Sequence, residues 1–318
     1  MRVHLSAVGT SLLRNATKDP KIEDRLTTLG LKEWDRLSLD DKKQMKIVEH
    51  KNELFGYLMG FVKEKGEDAS AELSSLFKAF RKFNHSPEDT KIFLYHTKSP
   101  NSQLAGEVIK SYLIERGYKD VVLAEVTKID SEANFYDGLV DLFDKVITKL
   151  IEWKNSGYEI FINVTPGFKG ETIFISIAGL MLESTLYYLH ESFNDIVILP
   201  SPPITIKPNY VKIIKRLEEA GYVVPLSTAE KIVPADVIQH LKELAVVEDE
   251  GGAIKLRDWS RKFVDNFYKG TSSIKGYKII TDDGKEIVVT NGEELDRELS
   301  KLGDKKYRIE PLGIIKVR

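Results

Sequence analysis

Between Arg2 and Pro200 the chain alternates short, predominantly apolar runs with stretches of helical periodicity. No other feature restricts its fold as much. The runs are RVHLSAV (2–8), KIFLYHT (91–97), VVLAEV (121–126), YEIFINVT (158–165), TLYYLH (185–190) and DIVILP (195–200). Runs this short and this apolar read as strands buried on both faces, as in a parallel sheet with helices on each side. Between them, NSQLAGEVIKSYLIERG sets Leu104, Val108, Leu113 and Ile114 at helical spacing and stops at Gly117. NFYDGLVDLFDKVITKLIEWKNSG repeats Leu139, Leu142, Phe143, Val146, Ile147 and Leu150 on one face. GETIFISIAGLMLES is apolar nearly all round, which predicts a buried helix. The last two runs follow each other too closely for a crossover helix and are expected to pair antiparallel at one edge. The fold class expected is α/β: a Rossmann-like, mostly parallel sheet.

Residues 12–90 break the alternation. They are helical and polar, and they read as a long insertion between the first two strands whose charges form a solvated surface. A second break comes at PSPPITIKPNY (200–210), where four prolines in eleven residues can continue neither a sheet interior nor a helix. The domains expected are therefore 1–206 and 207–318. In the second, NYVKIIKRLEEAG and PADVIQHLKELA read as helices, VVEDEGGAIKL as a hairpin and RDWSRKFVDNFYKG as a third helix, with Phe263, Phe267 and Tyr268 as its core face. That order is winged-helix-like. The tail reads as a hairpin around DDG, a short helix and a final strand.

Composition narrows the chemistry. Across 318 residues the formal charge is −2, which excludes a globally basic nucleic-acid coat. There are no cysteines, so disulfide and thiolate chemistry are out, and a cytoplasmic home is expected. The N-terminal stretch reads as a first strand rather than a leader, and no run reaches the length of a membrane span. The six histidines show no paired ligand spacing, so neither a metal nor a cofactor is expected. His4, His96 and His190 fall inside the apparent strands and read as packing residues.

In an open parallel sheet, ligands bind beyond the carboxyl ends of the strands where strand order reverses. Two loops have suitable residues. VGTSLLRN follows the first strand: Gly9 permits close backbone approach, and Thr10 and Ser11 bring hydroxyls that ordinary helix capping also explains. NVTPGFKGET follows the fourth: Gly167 and Gly170 bare backbone N–H groups, a helix starting near Gly170 aims its positive end at the same point, and Lys169 adds a full charge. Thr165, Phe168, Glu171 and Thr172 belong to this stretch as binding candidates. The loop after the second strand, TKSPNSQ, adds Ser99, Asn101 and Gln103, expected to face the same pocket. Neither loop matches the nucleoside-triphosphate phosphate loop or the three-glycine dinucleotide fingerprint.

AVGTSLLRN after a first strand, NVTPGFKGET after a later one and a proline-marked passage to a winged helix resemble the CRISPR-associated CARF-domain ring nucleases of archaeal type III systems. The resemblance implies a homodimer that holds cyclic tetra-adenylate across its two-fold axis. It further implies metal-independent cutting of the ring to linear di-adenylates ending in a 2′,3′-cyclic phosphate, which switches off the antiviral signal. The family's loop serine corresponds to Ser11 and its loop lysine to Lys169. The residues fit such a reaction on their own terms. RNA carries its own nucleophile in the ribose 2′-OH, so an enzyme need only hold that oxygen in line and stabilise the added negative charge. Lys169 suits the charge. Ser11 suits either the phosphate or the ribose hydroxyl, and no base is visible beside it in the sequence. Besides a plain nucleotide-binding enzyme on a doubly wound sheet, which is what remains without the family resemblance, two other readings stand. In one, a ligand-responsive transcription regulator binds DNA through the winged helix, against which VEDEGG at the wing tip is acidic. In the other, a C-terminal ribonuclease uses an Arg-x4–6-His motif, which His240 lacks. DNA binding is not expected, nor is a membrane partner.

Overall fold

The structure is a computed structural model and describes residues 1–38, 40–126, 135–202, 204–268, 274–289, 292–302 and 307–315. It divides into two compact units: Met1–Ile206 with Arg257–Trp259, and Lys207–Leu256 with Ser260–Arg318.

The first unit is built on six strands: β1 (Arg2–Ala7), β2 (Thr90–Thr97), β3 (Val121–Val126), β4 (Glu159–Asn163), β5 (Thr185–Tyr188) and β6 (Val197–Ile198). Their order in the sheet is β3-β2-β1-β4-β5-β6. All neighbours are parallel except β5 and β6, which form the expected antiparallel edge. β6 is only two residues long, and both are exposed, so the edge is short. The chain moves outward from β1 through β2 to β3, then returns to lie on the other side of β1 as β4. This reversal opens a crevice between the carboxyl ends of β1 and β4.

Helices cover both faces. After β1 come α1 (Ser11–Ala16), α2 (Pro20–Leu29), α3 (Lys43–Glu49), α4 (Lys51–Lys65) and α5 (Ala71–Phe83). This is the insertion, and its charges are only its outer surface. Its inward residues Leu12, Leu26, Trp34, Ile47, Leu54 and Leu58 join Leu104, Val108 and Ile109 of α6 (Pro100–Glu115) and Ile92 and Leu94 of β2 in one buried cluster. Trp34 is fully buried, and its indole N–H reaches the Leu13 carbonyl at 3.2 Å and Thr17 Oγ1 at 3.1 Å. The insertion therefore belongs to the core of the fold. Outside, Arg25 and Glu53 make a two-bond pair at 2.6 and 2.8 Å, the ordinary fate of charged helix faces. α5 also packs on β1 and β4, which carries a side chain of its first turn to the crevice.

The other face holds α7 (Phe135–Asn155) and α8 (Lys169–Met181). The apolar circumference of α8 predicts burial, but only Ile175, Ala178, Gly179 and Met181 among its apolar positions are buried. Ile173 is 56% exposed and Phe168, its N-cap, 57%. A single chain supplies one surface for this helix to pack on, and the remaining apolar stripe faces outward. Gly179 explains the closeness on the packed side: a Cβ there would meet the Ile162 side chain at 2.3 Å. Among the described residues no helix is long and apolar enough to cross a membrane.

In the second unit α9 (Pro208–Ala220), β7 (Val223–Pro225), α10 (Leu226–Ile232), α11 (Ala235–Glu243), β8 (Val247–Glu250) and β9 (Ala253–Leu256) lead to α12 (Asp258–Tyr268). β7, β9 and β8 form a small antiparallel sheet. The expected helices α9, α11 and α12 and the β8–β9 hairpin are present in that order, with β7 and α10 inserted between the first two helices. The hairpin turns on Gly251 and Gly252, at φ 56° and 85°, as a tight hairpin turn requires. β7 and α10 give too little sequence pattern to be read beforehand, one being three residues with a proline and the other seven. Phe263 is buried as expected, while the side chains of Phe267 and Tyr268 lie outside the described residues. The tail forms a second antiparallel sheet, β11-β10-β12, from β10 (Ile274–Thr281), β11 (Glu286–Val289) and β12 (Tyr307–Ile315), with α13 (Gly292–Leu302) between the last two.

Candidate functional site

The carboxyl end of β4 is tied down before its loop begins. Asn163 is buried, donates to Ser6 Oγ at 3.1 Å and Ser75 Oγ at 2.7 Å, and accepts from the Thr165 N–H at 3.1 Å. Three elements, β1, α5 and β4, are thereby fixed where the loop leaves the sheet. Thr165 Oγ1 then accepts from the Leu189 N–H at 2.9 Å, adding the segment after β5.

The two loops singled out in the sequence meet. Gly167 has φ 100°, and a Cβ on it would lie 2.6 Å from Cβ of Ala7. A Cβ on Gly9 would sit 3.4 Å from the Gly167 nitrogen. Only glycine permits this approach at position 167. Around the junction opens a cavity of about 720 Å³. Gly9, Thr10, Ser11 and Arg14 line it from the first loop, Thr165 to Gly167 from the second, Ala71, Glu72 and Lys78 from α5, and Tyr188, His190 and Phe193 from beyond β5.

Glu72 organises the first loop. It is fully buried, and its two carboxylate oxygens accept from the Gly9 N–H at 2.8 Å and the Ser11 hydroxyl at 2.7 Å. Ser11 Oγ in turn accepts from the Ala71 N–H at 3.0 Å. Neither hydroxyl caps α1: Thr10 stands at its N-cap without a side-chain capping bond, and Ser11 instead accepts from the first N–H of α5. A carboxylate does stand beside Ser11, contrary to the sequence reading. It comes from sixty-one residues away, and no local pattern announces it.

Lys169 is the first residue of α8, one position earlier than the helix start expected at Gly170. It is exposed, makes no side-chain hydrogen bond or ion pair among the described residues, and does not line the cavity. Gly170 packs against Phe135 and Phe168, where an added Cβ would meet the Phe135 ring at 3.0 Å. Thr172 Oγ1 donates to the Pro166 and Phe168 carbonyls at 3.2 and 3.1 Å, closing the turn. Glu171 is buried beneath it. One carboxyl oxygen accepts a long bond, 3.4 Å, from the Phe168 N–H; the other has no partner among the described residues. Burial pushes this carboxyl up to about 7, against a smaller opposing pull from the Phe168 N–H.

Ser99, Asn101 and Gln103 are not at the cavity. Asn101 is buried; its side-chain amide donates to the Trp34 carbonyl at 3.0 Å and its backbone N–H donates to Gln44 Oε1 at 3.1 Å. Ser99 pairs with Thr97 at 3.0 Å and Gln103 with Glu107 at 3.0 Å. The insertion lies over this loop, and long-range packing of that kind leaves no trace in the loop's own sequence. His4 and His96 are buried as expected. His4 bonds Tyr187 at 3.0 Å and His85 at 2.9 Å, and burial drives it well below the usual imidazole range. His190 differs: β5 stops at Tyr188, and the ring is exposed at the cavity with Nδ1 accepting from the Ser192 N–H at 3.2 Å.

The sequence reading also passed over Arg14 and Lys78. Arg14 follows Ser11 by three residues, one helical turn, and that spacing was a usable signal. Neither side chain makes a hydrogen bond or ion pair among the described residues. Arg36, also at the cavity, is within 3.9 Å of Glu33 and Asp35. The cavity is thus mixed in charge, with Asp35, Asp68, Glu72 and Glu191 opposite three cations. Among the described residues no group of three or more His, Asp or Glu is placed to hold a metal ion.

Among solved structures, protein VC1899 from Vibrio cholerae aligns over 99% of this chain and 77% of its own at 9% identity, with a TM-score of 0.30. Can2 from Sulfobacillus thermosulfidooxidans, in complex with cyclic tetra-adenylate, aligns over 72% of this chain and 70% of its own at 10% identity, with a TM-score of 0.26. A family model gives the firmer likeness: over residues 67–202, the segment that carries Glu72, the turn at Gly167 and the whole of α8, the chain matches a CRISPR-associated protein family, Cas_APE2256, in keeping with the resemblance its sequence shows.

Proposed function

We propose that this protein is a ring nuclease that binds cyclic tetra-adenylate and cuts it to linear di-adenylates ending in a 2′,3′-cyclic phosphate, without a metal. The observation that carries this reading is the convergence of the two loops. Gly9 and Gly167 touch at the strand-order reversal and open onto a cavity of about 720 Å³ in a chain with a CRISPR-associated family match. The start of α8 offers its first N–H groups and Lys169 to phosphate. Arg14 and Lys78 add cations at the cavity wall, Lys78 sharing its field with Asp195. In this reading the ribose 2′-oxygen attacks the neighbouring phosphorus, and Lys169 stabilises the extra negative charge as the 5′-oxygen leaves.

Lys169 stands outside the cavity of one chain, beside the exposed apolar residues Phe168 and Ile173. A second copy packed on that stripe across a two-fold axis would cover it and present two equivalent sites to a ring of identical nucleotides. We therefore include a homodimer in the proposal, with cyclic tetra-adenylate as its ligand and no DNA. The wing-tip residues Asp249 and Glu250 are exposed and acidic, which disfavours a phosphate backbone. The test is incubation of the pure protein with cyclic tri-, tetra- and hexa-adenylate in excess chelator, with products read by mass. The expected result is di-adenylate 2′,3′-cyclic phosphate from the four-membered ring. Intact rings throughout would overturn the proposal.

A further inference from the structure

The hydroxyl of Ser11 has a fixed polarity, and that polarity decides what it can touch. A serine hydroxyl holds one proton and two lone pairs. The Ala71 N–H, 3.0 Å away, occupies one lone pair. The proton points to Glu72 Oε2 at 2.7 Å, and the other oxygen of that carboxylate is held by the Gly9 N–H at 2.8 Å. One lone pair remains, so Ser11 can accept a hydrogen bond from a ligand but has none to give. A phosphate oxygen, itself an acceptor, is excluded. A ribose 2′-OH, which has a proton to donate, fits.

Resting on the reading of this site as a ring nuclease, we infer that Glu72 is a positioning residue that receives the ribose 2′-OH proton through Ser11. The 2′-oxygen forms a bond to phosphorus with its own electron pair. Its proton passes to Ser11 Oγ as the Ser11 proton passes to the Glu72 carboxylate. The bond from phosphorus to the 5′-oxygen breaks, and that oxygen leaves with the electron pair and takes a proton from solvent water. The hydroxide so formed recovers the proton from Glu72. Nothing is consumed, and the product is the cyclic phosphate. Glu72 suits the task because α5 fixes it: Ser70 caps the helix, accepting from the Leu73 N–H at 3.1 Å, and the buried first turn cannot swing away. The insertion is then part of the catalytic apparatus.

The polarity is tested with Glu72→Gln. Its amide oxygen can still accept from Gly9, but its NH2 donates to Ser11 and frees the serine proton, reversing the hydroxyl. Single-turnover cleavage of labelled cyclic tetra-adenylate should slow by about 10²-fold or more, the usual worth of a general base. Ser11→Ala combined with Glu72→Gln should be no slower than Ser11→Ala alone, since both remove one relay. A purely structural role would make the losses add. Binding of the all-2′-deoxy ring gives a second readout that does not need Glu72→Gln to fold. Wild type and Ser11→Ala should bind it equally, because the partner hydroxyl is missing from both complexes. Weaker binding of the deoxy ring by Ser11→Ala would put Ser11 on phosphate and overturn the inference. So would undiminished cleavage by Glu72→Gln. If the wild-type protein leaves the ribose ring intact, the ring-nuclease reading itself fails and the relay with it.

Discussion

Glu171 offers the most quantitative handle on the phosphate-type turn. Its carboxyl is buried, has one long hydrogen bond, and is raised from 4.5 to about 7. In the native state it therefore holds a proton, over roughly pH 4.5 to 7, that the unfolded chain has already released. More protons bound to the native state means that stability falls as pH rises through this window and levels off above it. A shift of about 2.5 units at about 1.36 kcal/mol each is a loss of about 3 kcal/mol. Glu171→Gln has no charge to bury and should not show the loss. The amide's unpartnered N–H groups add a cost of their own, but that cost does not change with pH. The advantage of Gln over Glu should therefore grow by about 3 kcal/mol between about pH 4 and pH 8. Urea denaturation followed by tryptophan fluorescence suits the measurement, since Trp34 and Trp153 are buried in the same unit. His4, depressed by burial, drives the opposite trend as pH falls below the imidazole range, but both proteins share it and it cancels in the difference. A difference that stays flat across the range would mean that the carboxyl is not held in the dry, poorly bonded setting described, and the argument from burial would fail.

Other outcomes follow from the same geometry. Gly167→Ala places a Cβ 2.6 Å from Ala7 in a left-handed conformation and should cost at least about 2 kcal/mol of stability in the same denaturation assay. Gly9→Ala meets nothing closer than 3.4 Å and should fold normally, so any loss of ring binding measured by calorimetry reports how closely the ligand approaches that backbone. Lys169→Ala should slow single-turnover cleavage by about 10²–10³-fold while leaving the fold unchanged, as expected for one removed charge-stabilising contact. Arg14→Ala and Lys78→Ala should weaken binding of the deoxy ring at low salt, with the deficit shrinking as salt screens the remaining attraction, in titrations across a salt series.

The amino-acid sequence by itself determines the sheet, its edge pair and the two loops that flank the crevice. Each rests on local physics: runs of β-branched and aromatic residues, apolar spacing along helices, and glycines where backbone must come close. Val121–Val126 appears as a strand with the bounds its pattern implies. That Ser11, Gly9 and Gly167 line the cavity could be anticipated because their positions relative to the strands are set within a few residues of chain. What only the tertiary structure decided lies across long separations. The insertion's apolar positions look sparse in sequence and gather into core once α6 and β2 supply the opposing face. That same packing buries Asn101 and withdraws the loop after β2 from the cavity. Glu72, one acid among 49 acidic residues, acquires its meaning only because α5 docks on β1 and β4 and sets a carboxylate against a serine sixty-one residues earlier. Periodicity encodes which face a residue takes, and the partner that face will meet is fixed only when the whole chain has closed around it.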